Sequence, residues 1–268
     1  MIDASTLASW RAPASISVML GLFAWESAQP FFGLFVAGPH SLRLRLRHAA
    51  KNIGIGVLNG LFIRFGFLAI WIATMEWTAT HGAGLLNWFP VAPMFRWVAA
   101  LFLLDAWTYV WHRWNHSVPF FWRFHRLHHS DRQMDVTTAN RFHFGEITLS
   151  SLARVPVLAL IGCRTEELAL YELLLFAVVQ FHHANIALPD WLDRALRTVI
   201  VTPHLHKVHH SVVRAEQNAN FSSLFSWWDR IAQTFRLTAD LSGVVFGVDE
   251  VPAVEAVHSA ATPADQAL

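Results

Sequence analysis

The chain has 268 residues, 54% of them hydrophobic and 15% charged, with a formal net charge of +1 and a mean hydropathy of +0.35. That composition is too apolar for an ordinary soluble domain, and the absence of a basic stripe argues against a nucleic-acid partner. The single cysteine, Cys163, excludes an intrachain disulfide.

In chain order, residues 1 to 12 read as a free end. Ala14 to Ala37 read as a retained transmembrane helix, since no small-residue cleavage site follows, with Pro30 expected to kink it. The run LRLRLRHAAK after Pro39 crowds Arg43, Arg45, Arg47 and Lys51 together, which the positive-inside rule assigns to the cytoplasm. It reads as an interfacial helix or turn, with His40 and His48 as ordinary interfacial side chains. Residues 53 to 75 form a second expected span, ending near Trp71 and Trp77 at headgroup level. Gly54, Gly56 and Gly60 have the wrong spacing for a dinucleotide fingerprint, and Gly56-x-x-x-Gly60 reads instead as a site of close helix packing. Arg64 lies inside this span, where a charge ordinarily faces protein or water.

His81-Gly82-Ala83-Gly84, with Pro90 and Pro93 beyond it, is a loop on the opposite side, so His81 falls outside any cytoplasmic cluster. A third span, Met94 to Trp111, returns inward and delivers His112 to the cytoplasmic face, where Arg113, Arg123 and Arg126 repeat the basic bias. Ile147 to Leu160 and Glu167 to Phe181 read as a hairpin that dips in from that face and brings His182 and His183 back to it. The expected fold class is therefore all-α: a polytopic membrane helical protein of about four transmembrane helices or equivalents, with a cytoplasmic histidine-rich helical cap. Its regions are residues 1–100 (N-terminal, transmembrane), 101–236 (catalytic) and 237–268 (a tail, holding His258, expected to be partly disordered).

Residues 105–130, DAWTYVWHRWNHSVPFFWRFHRLHHS, carry His112, His116, His125, His128 and His129, and the closing H-x-x-H-H returns as His206-Lys207-Val208-His209-His210. Histidines three or four apart share a helix face and can aim at one point. A structural zinc takes about four ligands and a catalytic zinc about three, so clusters of two, three and three imidazoles exceed one zinc and point to two ions. Imidazole alone leaves iron, zinc, copper and nickel open. Asp105, Asn185 and Asp229 are candidates for orienting ring nitrogens, although capping residues look the same in sequence. Phe120-Phe121-Trp122 and Phe124 read equally as a cavity entrance or an interfacial belt. A membrane metal-binding or metal-transport protein is the alternative, but transport places ligands near the bilayer midplane, whereas these boxes sit at span ends. A hydrolase would require carboxylates, which the boxes lack.

The order H-x-x-x-H, H-x-x-H-H, H-x-x-H-H on an apolar chain resembles the fatty acid hydroxylase/sterol desaturase superfamily of integral membrane di-iron oxygenases. The likeness extends to Asp105 and Tyr109 before the first box, to TANRFHFGE at Thr138 to Glu146, to FHHAN at Phe181 to Asn185, and to Trp228-Asp229-Arg230 after the last box. It covers residues 100 to 236. Two places depart from the family pattern: Asn220-Phe221-Ser222 stands where Asn-Tyr-Gly is common, and Ala232-Gln233-Thr234 where Gly-Thr is common.

The resemblance implies metal ligands at His112, His116, His125, His128, His129, His206, His209 and His210, with His183 joining them from its Phe-x-His-x-Asn setting. His182 becomes a neighbour behind the ligands, and for His143 ligation and a hydrogen-bonding role both stand. His204 falls outside the third box. Two Fe ions would hydroxylate or desaturate a C–H bond of a lipid, such as a fatty acyl chain or a sterol-like or isoprenoid lipid, with O2 as co-substrate. The chain holds no flavin, nicotinamide or haem fingerprint and too few cysteines for an iron–sulfur cluster. A separate electron donor is therefore implied: a reductase, a ferredoxin or a cytochrome b5-like protein.

Overall fold

A computed structural model describes residues 4–35, 41–89, 92–238 and 240–248. Among them the chain is all-helical, with no strand beyond two isolated antiparallel bridges, Ile200 to Phe225 and Ser211 to Phe246. Helix α1 (Ala4–Ala28) stops before Pro30. The expected kink at Pro30 is thus a helix end, because proline disfavours the helical conformation of the residue before it. Pro13 is the proline that lies inside α1. Buried Glu26 fastens this end of the molecule by accepting from the backbone N–H groups of Val136 and Asn185 and pairing with Arg45 at 3.0 Å.

The Leu-Arg run is helical, and it continues without a break into the next segment as the first turns of α2 (Ser41–Gly66). The second expected span is not one straight helix: the chain breaks at Phe67, α3 (Leu68–His81) follows, and the path bends by 48°. Gly66, a weak helix former, and Phe67 at φ −126° mark the break. A Cβ on Gly56 would lie 2.7 Å from the Asn140 Cβ, so this glycine admits a close neighbour, whereas Gly60 faces open space and the pair does not act as one packing stripe. Arg64 is exposed on α2. Gly82 closes α3 in the left-handed conformation, donating its N–H to the Thr78 carbonyl. The short α4 (Leu85–Trp88) leads to α5 (Pro93–Ser117), which has proline at its first position.

Next come α6 (Pro119–His129), a 3-10 turn (Val136–Asn140), α7 (Phe144–Ile161) and α8 (Thr165–His183). Gly162 takes φ 69° at the α7–α8 turn, and a Cβ on Gly84 would come within 2.5 Å of its Cα, so glycine is required on both sides of this contact. Buried Arg96 pairs with Glu167 at 2.7 Å beside the same turn. The core joins α3, α5, α7 and α8 through Trp71, Met75, Leu104, Leu158, Leu168 and Tyr171. Four short helices follow, α9 (Asp190–Leu196), α10 (Pro203–His209), α11 (Arg214–Gln217) and α12 (Trp227–Ile231), and then a 3-10 turn (Leu241–Gly243) among the described residues.

Among the described residues one helix, Phe144–Ile161, is long and apolar enough to cross a membrane, or two if the bent path from Ser41 to Trp88 counts as one span. The expected four are therefore not all present as continuous apolar helices: α5 carries Arg96 and Asp105, and α8 carries Glu166, Glu167 and Glu172. In the tail, Phe246 is buried with its ring 5.1 Å from that of Phe32. His40, Pro39, the last two residues of the first expected span, residues 249–268 and with them His258 lie outside the described residues.

Candidate metal centre

Four helices end at one place. His112 and His116 lie in the last turns of α5, His125, His128 and His129 in α6, His182 and His183 close α8, and His206, His209 and His210 lie at the end of α10. Helix C-termini carry partial negative charge from unpaired carbonyls, so this convergence favours a cation. Proline at the first position of both α6 and α10 starts those helices where the boxes then fall within them.

The rings form two groups. His112, His116, His125, His129 and His209 make the first, and His128, His183, His206 and His210 the second, with the potential ligand nitrogens in each group within 4.8 Å of one another. In the first group the Nε2 atoms of His112 and His209 are 3.0 Å apart. In the second, Nε2 to Nε2 separations are 3.1 Å for His128 and His183, 3.0 Å for His183 and His206, and 3.1 Å for His206 and His210. Two nitrogens each about 2.1 Å from one ion and at right angles to each other would be about 3.0 Å apart.

Hydrogen bonding decides which nitrogen is bare. His112 Nδ1 donates to the Phe221 carbonyl at 2.8 Å, His209 Nδ1 to the Ala219 carbonyl at 2.7 Å, and His183 Nδ1 to the Val179 carbonyl at 2.8 Å. A neutral ring that donates from Nδ1 has only a lone pair at Nε2. The Nε2 atoms of His112 and His209 thus present lone pairs to each other with no proton between them, a repulsive arrangement that a cation relieves. Burial, reinforced by neighbouring histidines, pushes the rings of His128, His129, His206 and His210 well below the usual histidine range, and burial lowers His209 to about 3. Buried nitrogens of His116, His125 and His129 have no hydrogen-bond partner. Neutral, desolvated rings with orphaned nitrogens suit a metal ion, so the residues fit the group the sequence implies.

His143 belongs to neither group. It is exposed at the start of α7, where Nδ1 accepts from the Gly145 N–H at 2.9 Å. His182 is buried with its ring centroid 3.9 Å from that of His206. None of the three candidate orienting residues touches a ring nitrogen. Asp105 accepts from the Phe225 N–H, Trp228 Nε1 and the Tyr171 hydroxyl, and Asn185 exchanges hydrogen bonds with Phe32. Asp229 accepts from the N–H groups of Phe221 and Ser222 and from Thr234, thereby holding the loop whose Phe221 carbonyl orients His112. His204 lies beside Asp193, and His81 is exposed at the end of α3.

Sequence reasoning missed Glu146, which accepts from His125 Nδ1 at 2.8 Å and from Asn115 at 3.2 Å. It stands in the stretch TANRFHFGE that carries part of the resemblance, which was its available signal. His48 was missed too, for it is no free interfacial side chain: it bonds Asp131 at 2.8 Å, two residues beyond His129, and lies 3.3 Å from Asp135. Burial opposes ionisation of Asp131, but the hydrogen bond and charge of His48 prevail and hold its carboxyl at about 2. Buried Lys207 donates to the Ala184 and Ile186 carbonyls just past α8.

A cavity of about 370 Å³ opens beside the rings. His112, His125, His128 and His183 line one side of it, and Trp107, Trp111, Leu175 and Phe176 continue the wall. The Phe120 to Phe124 run is not in that wall, and Arg123 lies over the rings of Phe120 and Phe124 instead.

The sequence model of the fatty acid hydroxylase family matches residues 97–234. Among curated proteins, ornithine lipid hydroxylase OlsE of Rhizobium tropici is 34% identical over 151 residues, 53% of this chain and 42% of the relative. The alkylglycerol monooxygenase of Caenorhabditis elegans is 27% identical over 229 residues, covering 81% of this chain and 41% of its own. The cholesterol 25-hydroxylase of Homo sapiens is 26% identical over 137 residues, 51% of this chain and 49% of the relative. The chain thus spans about half the length, or less, of these relatives. No solved structure matches it at a significant level.

Proposed function

The chain belongs to the fatty acid hydroxylase family, and from that membership we propose that it is a membrane di-iron oxidoreductase that hydroxylates or desaturates a C–H bond of a lipid, consuming O2. One iron would sit among His112, His116, His125, His129 and His209, the other among His128, His183, His206 and His210. Once bound, the irons supply the dioxygen activation that oxidation of an unactivated C–H bond requires, with electrons from a separate reductase, ferredoxin or cytochrome b5-like donor. His143, capping α7, takes a hydrogen-bonding role in this reading.

The chain's own residues do the rest. The carbonyls of Phe221, Ala219 and Val179 and the Glu146 carboxylate hold four rings in one tautomer and orientation. The aromatic wall at Trp107, Trp111 and Phe176 binds an apolar chain against the histidines and excludes water from the reacting carbon. The observation that carries the reading is this cavity: two groups of converging histidines open onto a largely apolar space of lipid-accepting character. A membrane metal-binding or transport role gives that cavity no task.

We further place the protein in the membrane as a multi-pass chain with the histidines at the cytoplasmic side, following the basic run Arg43 to Lys51 and the apolar α7. Expression in a host supplying a compatible electron donor should shift a lipid by one oxygen or by loss of two hydrogens, and His125→Ala should abolish the shift. Comparative lipid mass spectrometry reads this, and unchanged lipids despite iron-loaded protein and a working donor would overturn the reading.

A further inference from the structure

At the end of the cavity away from the histidines stands an ion pair. Arg154 of α7 and Glu172 of α8 are both in its wall, with Nη1 2.5 Å from Oε1 and side chains 21% and 15% exposed. The Arg154 guanidinium also lies 4.7 Å over the Trp71 ring. The helices order the wall. On α8 the lining runs from Glu172 through Leu175, Phe176 and Val179 to His182 and His183, and on α7 from Glu146 and Ile147 through Ser150 to Arg154. At the rise of a helix, the ion pair stands about 12 Å along α7 and about 16 Å along α8 from the histidine end.

An ion pair withdrawn from water is a poor staple, because apolar residues of similar size hold two helices as well or better. Its presence in the cavity wall, next to Leu175 and Phe176 and away from the histidine end, calls for a polar ligand group. The pair is electrically neutral as a unit, and it offers both guanidinium N–H donors and carboxylate lone pairs. A hydroxyl uses both, donating to the carboxylate while accepting from the guanidinium. A free carboxylate or phosphate would be repelled by Glu172, and an ammonium by Arg154.

We propose that Arg154 and Glu172 select the substrate: they recognise an uncharged hydroxyl group of the lipid and thereby set which carbon, about 12 to 16 Å away, reaches the histidines. The inference rests on the cavity's being the lipid site of the proposed oxidation. Neither residue touches the metal centre, so their role is specificity and not catalysis.

The test reads binding and needs no turnover. Iron-loaded full-length protein in nonionic micelles is titrated with 1-hexadecanol, hexadecane or palmitate at alkaline pH, and the ligand-dependent rise in unfolding midpoint yields affinities. The wild type should prefer hexadecanol to hexadecane by about tenfold, the factor of one net hydrogen bond, and should also prefer it to palmitate. Glu172→Gln keeps the side-chain volume and leaves Arg154 uncompensated, so its ranking should invert in favour of palmitate. Arg154→Met/Glu172→Leu should bind all three without preference at unchanged iron content, and if that variant fails to fold, Glu172→Gln decides alone. A structural staple would lower stability without reordering ligands, so equal binding of alcohol and alkane by the wild type, or an unchanged ranking in Glu172→Gln, overturns the proposal. Preference without any lipid oxidation in cells would instead defeat the proposed function alone.

Discussion

The two histidine groups are held in different ways. In the first, three rings are tied from behind: His112 to Phe221, His209 to Ala219 and His125 to Glu146. In the second, one ring is so tied, His183 to Val179, and the others depend on packing. His128 stacks on Phe142 at 4.5 Å and 8°, and His210 on His129 at 4.3 Å and 16°. The first group is therefore oriented chiefly by hydrogen bonds to surrounding residues, whereas the second relies on ring contacts and on whatever cation its crowded Nε2 atoms share. A metal at the first site should be the harder to remove.

The largest expected effect breaks the first group outright. His209→Ala removes a ring that also faces His112, so it should abolish activity and at least one equivalent of iron, measured by metal analysis of purified protein.

Acid acts on both groups in the metal-free protein. The folded rings of His128, His129, His206, His209 and His210 titrate below the ordinary value of 6.5, while unfolded rings take up protons near it. The unfolded state then binds more protons, so stability is complete above pH 6.5 and falls as the pH drops, for His209 down to about 3. The slope is about 1.4 kcal/mol per pH unit for each such ring. Chemical denaturation of apoprotein across this range measures it, and flat stability would show that the rings are not buried neutral.

Glu146→Leu sharpens the comparison, because it leaves the His125 Nδ1–H buried without an acceptor. Iron affinity at the first group should fall by about 10- to 100-fold while the second group keeps its ion, and competition with a chelator resolves the two. Equal loss from both groups would contradict their separate support. Phe142→Ala should do the reverse and more weakly, lowering affinity at the second group by about threefold to tenfold, the value of one aromatic stack.

The sequence by itself determined that the chain is helical and apolar, and it displayed the boxes whose spacing places histidines on common helix faces. Helical periodicity is local, so residues three and four apart need no tertiary information to converge. It did not show how the boxes divide. Neighbours on a helix point about 100° apart, so in each H-x-x-H-H the adjacent histidines diverge. His129 joins the first group and His128 the second, just as His209 joins the first and His210 the second. Each H-x-x-H-H box thus serves both sites, while His112 and His116 of the first box both join the first group, a division that only the packing of α5, α6, α8 and α10 could decide. The same holds for the carbonyls of Phe221, Ala219 and Val179, which any residue type could supply. It holds for Glu146 and His48 too, whose partners lie 21 and 83 residues away. The break at Phe67 and the Arg154–Glu172 pair across α7 and α8 were likewise left to the tertiary structure, because hydrogen bonds and ion pairs between distant segments leave no periodic trace in the chain.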